Sequence, residues 1–291
     1  MTAVIGTGGV HDEGAWPFVT LHHYVQDGRR VVWRERENRK GLRPAERRLE
    51  GVERPFWQGA AYNYLIGALF AGGACLFMLG SAFTLGAPTF GGPTREIINI
   101  TFFLGSIPFT MAAYLQHFQA ANATVFAVVP RDGRRRIAFI GWQPRNAGWV
   151  STFTQFLGTV AFNFNTYDAL TGPSGWMMQD LVVFLPGLVG SILFLVSGYI
   201  AFIEVAHTYW SWRPRDLDWR IVFVNLLGCI FFMTAGLLAY VPAGPEPAWI
   251  PVVATAHIGL GALGFFVGAV LLMHESRLAE RHPAAEPLKS T

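Results

Sequence analysis

The chain is short of charge, of lysine and of cysteine. Charged residues make up only 14% of its 291 positions, well below the quarter or so of an ordinary soluble domain. Lysine occurs as Lys40 and Lys289 alone, so the basic residues are nearly all Arg. No apolar stretch then offers an amine for a Schiff base. The two cysteines, Cys75 and Cys229, both sit inside apolar runs, which argues against a disulfide framework and for small buried hydrophobes. Residues Met1 to Pro17 lack the apolar core of a cleavable signal, so the first apolar helix is expected to direct its own insertion. There is no phosphate-binding Gly loop, no nucleophile elbow, no zincin helix and no basic aromatic surface suited to nucleic acid.

Apolar residues, by contrast, reach 52%. They collect in six segments, Trp57–Phe83, Ile97–Phe118, Trp149–Ala169, Leu181–Val205, Trp219–Val241 and Pro251–Met273. Each can cross a hydrocarbon core of about 30 Å at roughly 1.5 Å per residue. The third segment carries Ser151, Thr152, Thr154, Gln155, Thr159, Asn163, Asn165 and Thr166. A helix that polar is expected to face protein and not lipid. Arg and Lys concentrate in the N-terminal region, the 122–148 and 206–218 loops and the C-terminal tail, while the other three loops hold only Arg95. Positive charge resists translocation, so both termini are expected in the cytoplasm, beneath an inner membrane. The fold expected is an all-α transmembrane six-helix bundle. A basic cytoplasmic segment (1–55) precedes the membrane domain (56–275), and a cytoplasmic tail (276–291) follows it.

Two stretches outside the apolar segments read as small cytoplasmic β-hairpins. Phe18–Val25 and Arg30–Glu35 flank Asp27-Gly28, and a second pair of short runs flanks Arg131-Asp132-Gly133-Arg134; Asp-Gly favours the positive φ of a tight turn. Arg34–Arg54 is dense in both charge signs. It reads as solvated helix or coil, or as a segment lying on anionic lipid headgroups.

Self-alignment adds an internal repeat. Trp142-Gln-Pro144-Arg145-x-x-x-Trp149 matches Trp212-Arg-Pro214-Arg215-x-x-x-Trp219, and Gly105-Ser-Ile-x-Phe109 matches Gly190-Ser-Ile-x-Phe194. Fainter echoes, Trp57 with Asn63 and Gly261 with Phe265 and Glu275, complete a third copy. The bundle then parses as three tandem helical hairpins, about 57–121, 149–207 and 219–275. Trp at the start of each odd helix suits the headgroup boundary, and Gly and Ser on the even helices permit close backbone approach. Pro108 is expected to kink the second helix.

The candidate polar cluster follows from the repeat. Asn63, Gln155 and Asn225 lie six residues past the Trp positions, roughly 9 Å along each odd helix. The even helices return Gln119, Glu204 and Glu275 to the same end, and His207 follows Glu204 at the i, i+3 spacing that shares a helix face. Such a cluster could hold a cation, proton or small polar solute; equally, the amides could bond helix to helix while the glutamates reach interfacial water. Four carboxylates and two histidines, as a di-metal bundle needs, are not assembled by these positions, and no cofactor is expected. Asn163-Phe-Asn165-Thr166 near the other end reads as an outward-facing site or as interhelical bonding.

The paired-helix unit with Gly-Ser-x-x-Phe and a terminal acidic residue, together with the runs QFLGTVAFNFNT, FLVSGYIAFIEV and WRIVFVNLLGCIFFMTAG, resembles YrhK-type bacterial membrane domains. The resemblance spans roughly residues 57–275. It implies a multi-pass inner-membrane protein and transfers no catalytic residue. Two functions stay open at this point: a non-enzymatic structural or interaction bundle, and a small-solute or ion transporter or channel with its polar site in the cytoplasmic half. The expected partners are the lipid bilayer, anionic headgroups and further copies of the chain in a homo-oligomer.

Overall fold

The protein is described by a computed structural model covering residues 11–26, 29–42, 55–90, 92–123 and 137–281. It begins with an antiparallel sheet of β1 (His11–Glu13), β2 (Leu21–Gln26) and β3 (Arg29–Arg34), in the order β1-β2-β3. Gln26 faces Arg29 and Leu21 faces Arg34, the pairing expected of strands flanking Asp27-Gly28. The second expected hairpin turn, at Arg131–Arg134, lies outside the described residues; the described residues that follow it, 137–142, are irregular.

β3 runs straight into a six-residue helix, α1 (Glu35–Lys40), which Gly41 ends at φ 66°. A side chain at Gly41 could not fit, because its Cβ would lie 2.6 Å from the Gln58 carbonyl oxygen; glycine is needed there both for the left-handed φ and for the close approach. A short 3₁₀ turn at Phe56–Gln58 leads to α2 (Ala60–Phe90), α3 (Arg95–Ala121) and α4 (Ala147–Thr171). The one-turn α5 (Trp176–Gln179) passes through a π turn at Asp180–Phe184 into α6 (Leu185–Ala206), then α7 (Leu217–Leu238) and α8 (Trp249–Arg281).

Five stretches are long and apolar enough to cross a membrane: Ala60–Gly86, Arg95–Ala121, Trp176–Ala206, Leu217–Leu238 and Trp249–Glu280. They make this a multi-pass membrane protein. The helix outside that set is α4, the polar third segment. Several of its polar groups are matched by protein. Ser151 and Ser197 exchange hydroxyl-to-carbonyl bonds of 3.0 and 2.7 Å, Asn163 donates to the Thr110 hydroxyl at 2.9 Å, and Asn165 donates to the Val183 carbonyl at 2.7 Å. The last of these answers a carbonyl within the π turn, where the helical bonding pattern is interrupted. The Asn163–Thr166 cluster is thus interhelical bonding.

Each long helix packs on the one before and the one after, and α8 closes the ring against α2. Within the pairs α2–α3, α4–α6 and α7–α8 one contact recurs. A Cβ at Gly73 would meet Phe109 and the Gly105 carbonyl; at Gly158, Phe194 and the Gly190 carbonyl; at Gly228, the Gly261 carbonyl and Phe265. Seen from the other helix, Gly105 is covered by Phe77, Gly190 by Phe162 and Gly261 by Phe232. These phenylalanines meet edge-on in the centre, as in Phe109–Phe265 at 5.6 Å and Phe194–Phe265 at 5.7 Å. In lipid, where tails are as apolar as side chains, such close packing is what favours association.

The glycine contacts correct the register of the first copy. They set Gly73 level with Gly158 and Gly228, which puts Phe70, two turns beyond Asn63, at the level of Gln155 and Asn225. The Trp positions need correction too. Trp149 and Trp219 are 3% and 2% exposed, so they are core residues and no headgroup belt. Each donates its indole N–H to a loop carbonyl (Ile140 and Ser211, both 3.0 Å) and stacks on the Phe four residues on. Trp142 and Trp212 are the exposed members of the motif. α3 runs unbroken through Pro108.

The interlock generates a prediction. Gly158→Val drives methyl groups into Phe194 and the Gly190 backbone and should cost about 1–3 kcal/mol. Gly72, whose Cβ would meet nothing within 4 Å, should accept valine with no loss. Thermal unfolding of the two variants in detergent checks the pair; equal effects would refute the interlock.

Candidate functional site

Of the segment Arg34–Arg54, expected to be solvated or laid on lipid, residues 43–54 lie outside the described residues, and the part before them carries four buried charges. Glu35, Arg36, Arg39 and Lys40 all sit below a tenth exposed. At i, i+1, i+4 and i+5 they share one face, an arc of about 140°, of a helix less than two turns long, and α1 is inserted into one end of the helical ring. There it meets the starts of α2, α4 and α7 and the ends of α3, α6 and α8.

The ion pairs are specific. Arg39 Nη2 donates to both Glu204 oxygens, at 3.0 and 2.7 Å. Arg36 Nη1 lies 2.5 Å from Glu275 Oε1 and 3.0 Å from Asp218 Oδ1, and the Lys40 ammonium pairs with the other Glu275 oxygen. Glu35 accepts a 2.8 Å bond from the Gly148 backbone N–H, at the N-terminus of α4 where the helix dipole favours an acceptor. Gly148 is small for a reason: a Cβ there would lie 2.6 Å from Glu204 Oε1 and 2.7 Å from Arg39 Nε. Asn63 donates to the Lys40 carbonyl at 2.9 Å, closing the C-terminal end of α1.

Of the residues anticipated from sequence, Asn63, Gln119, Glu204 and Glu275 converge on α1 or its immediate support. Gln119, the member of the acidic position softened to an amide, is fully buried and donates to Asn63 at 2.9 Å and to the Trp57 carbonyl at 2.6 Å. His207 stands apart. It caps α6 at φ 59°, and its Nδ1 is 2.9 Å from the Thr20 hydroxyl, tying the sheet to the bundle. Gln155 and Asn225 lie deeper and line a cavity beneath α1. Glu35, Arg36, Arg39, Lys40, Asp218 and Gln116 escaped the sequence reading. One signal could have found them: two buried-helix glutamates demand nearby cations, and Arg36, Arg39 and Lys40 precede a glycine stop.

The cavity measures about 70 Å³, room for several waters or one small ion. Arg39, Lys40 and Arg36 form its roof, Phe70, Phe194 and Phe265 are among its apolar lining, and Gln116, Gln155 and Asn225 supply primary amides. Arg39 Nε and Nη1 have no hydrogen-bond partner. The three amides make no hydrogen bond among the described residues. Below the cavity a cluster of Phe77, Phe109, Phe162, Phe194 and Phe232 closes the bundle. No group of three or more His, Cys, Asp or Glu suited to a metal occurs among the described residues.

Burial sets the protonation of the α1 groups. Glu35 is pushed up to about 8, first by burial and then by the nearby Glu204 carboxylate, against the pull of the Gly148 N–H and Arg39. Lys40 is brought down to about 8 by burial and by Arg36, with Glu275 opposing. For Arg36 burial opposes charge, but Asp218 and Glu275 outweigh it and hold the guanidinium charged. His207 is lowered to about 4 by burial, then by Arg213 and Arg34.

Set against protein-family models, curated proteins and solved structures, the chain matches none of them.

Two predictions follow from these charges. Glu35 carries its proton in the folded state up to about pH 8, whereas the released carboxyl ionises near its ordinary 4.5. Docking therefore favours the protonated form, and its stability falls as pH rises between those values. His207 acts oppositely, but only between about 4 and 6.5. From pH 6.5 to 8 the Glu35 effect leads, opposed only near the upper end by Lys40, which titrates at about 8 when docked, and docking should weaken by on the order of 1 kcal/mol. Trypsin cleavage after Arg36, Arg39 or Lys40 reads this opening directly; Glu35→Gln should flatten the pH dependence. Separately, Glu204→Gln leaves the Arg39 guanidinium buried without its counter-charge and should cost about 3–5 kcal/mol, seen as rapid tryptic cleavage at α1. The double replacement Arg39→Met with Glu204→Gln should recover much of that loss.

Proposed function

We propose that this chain is a non-enzymatic bundle of six membrane-crossing helices, arranged as three tandem hairpins, that binds and passes a small polar solute or ion, with α1 as the plug at its cytoplasmic end. The observation that carries the reading is the cavity beneath α1, where amide and charged side chains meet an apolar lining. Gln116, Gln155 and Asn225 line it together and make no hydrogen bond among the described residues. A polar group left unmatched when buried costs about 1–3 kcal/mol. Water or a solute supplies the missing partners.

The repeated Gly–Phe interlock and the two matching Trp-Pro-Arg turns support the tandem-hairpin parse. The matched polar groups of α4 support its crossing alongside the other five helices. The concentration of Arg at the plugged end supports a cytoplasmic location for that end and for both termini, beneath a bacterial inner membrane. The resemblance to YrhK-type domains fits the same plan and adds no activity. An interaction-bundle reading draws on exposed aromatics at the plugged end, Trp16, Tyr209, Trp210 and Trp212, but assigns no role to the cavity.

The chain carries its own reporter. Cys229 lines the cavity and is buried, whereas Cys75 is exposed on the bundle's outer surface. With Cys75 replaced by Ala, a small water-soluble thiol reagent should label Cys229 slowly in the otherwise native protein. Labelling should be at least tenfold faster in Glu275→Gln, where the plug is loosened. Proteoliposomes bearing that variant should also show a raised flux of small ions or water. Unchanged labelling and unchanged flux in a variant that stays folded would remove the conduit reading.

A further inference from the structure

We infer that the cavity beneath α1 is a binding site for one small monovalent inorganic anion, of the size of chloride or nitrate. The inference deepens the conduit reading above and rests on it. Three properties of the lining converge.

The first is charge. The ionisable residues lining the cavity are Arg36, Arg39, Lys40 and Glu204, three cations against one carboxylate. That carboxylate is spent: both of its oxygens accept from Arg39 Nη2, so it has little left for a cation. The carboxylates that balance Arg36 and Lys40, Glu275 and Asp218, pair with them outside the cavity lining.

The second is donor supply. Arg39 is 3% exposed, and its Nε and Nη1 are without partners. Those two nitrogens are closed off from the cavity, with Nε against Gly148, so Arg39 contributes its positive charge to the roof and the free donors come from the amides. Gln116, Gln155 and Asn225 each add an N–H₂ group within the same lining. Charged and amide donors around an apolar floor of phenylalanine suit a weakly hydrated anion, which loses little on leaving water.

The third is size. A cavity of about 70 Å³ takes an ion with one or two waters and is too small for an organic metabolite. Arg36, Arg39 and Lys40 are each already paired with a carboxylate, which leaves little unbalanced positive charge in the roof. That arrangement favours a single negative charge over a dianion such as sulfate.

The test uses the full-length protein in detergent or nanodiscs, with thermal unfolding followed at constant ionic strength as sodium gluconate is exchanged for sodium chloride, bromide or nitrate. The small anions should raise the Tm saturably while gluconate, too large for the cavity, should not. Replacing sodium by choline should change nothing. Gln155→Leu combined with Asn225→Leu removes donors that bond to nothing in the fold, and should weaken the anion response at least tenfold. If that variant fails to fold, Gln116→Leu serves the same purpose. Chloride NMR line broadening by the wild-type protein, reversed by excess nitrate, reports the site without any substitution. A Tm response that follows the cation, one shared by gluconate, an unaltered response in the folded variants, or absent chloride broadening would each overturn the anion assignment. Fast Cys229 labelling and raised flux in Glu275→Gln alongside such a result would leave the conduit standing and remove only the anion; failure of labelling, flux and anion response together would remove both.

Discussion

The structure depends on placing three cations of a one-turn helix against carboxylates at one end of a membrane bundle. Arg39 on Glu204, and Arg36 with Lys40 on Glu275, are held where water is scarce. Moving any of these charges there unpaired would cost several kcal/mol. Each side therefore requires the other: the bundle cannot bury Glu204 and Glu275 without α1, and α1 is too short to be a stable helix without the bundle. Gly148 and Gly41 are the places where side chains had to be given up so that the two could approach.

The same arrangement creates the cavity. A plug that fitted flush would have packed its side chains against the phenylalanine cluster. Instead the guanidinium of Arg39 and the amides of α3, α4 and α7 surround a small space with polar groups unanswered. The bundle is thus closed at two levels of different character, an ionic one at the plugged end and an aromatic one in the middle. Ionic contacts can be released by titration or by competing charge, whereas the phenylalanines yield only if helices move. That asymmetry makes the α1 contacts the more readily released of the two.

Much of this was legible beforehand. The helical segments followed from hydropathy, with boundaries shifted by a few residues, and the first hairpin followed from Asp27-Gly28. Glu204 and Glu275, placed at one end by the direction of their helices, meet α1 there with Asn63 and Gln119, although Asn63 is not level with Gln155 and Asn225. The errors have physical causes. Trp149 and Trp219 resemble interfacial anchors in composition, but each indole N–H finds a loop carbonyl, which lets the ring be buried. The first copy was misregistered by two turns because Asn63 mimics Asn225 in type, while the backbone contact of Gly73 with Gly105 sets the true level.

What the amino-acid sequence determined by itself is local and periodic: long apolar helices, their alternating flanks of positive charge, a duplicated turn and a ladder of glycines. Those depend on spacing along the chain and need no knowledge of partners. The tertiary structure decided the fate of the charges. Nothing in Glu35 to Lys40, read alone, distinguishes a solvated basic helix from a buried one, because the difference lies in carboxylates more than 160 residues away. Only folding brings them within 3 Å, and only then do four charges of a charge-rich segment become buried.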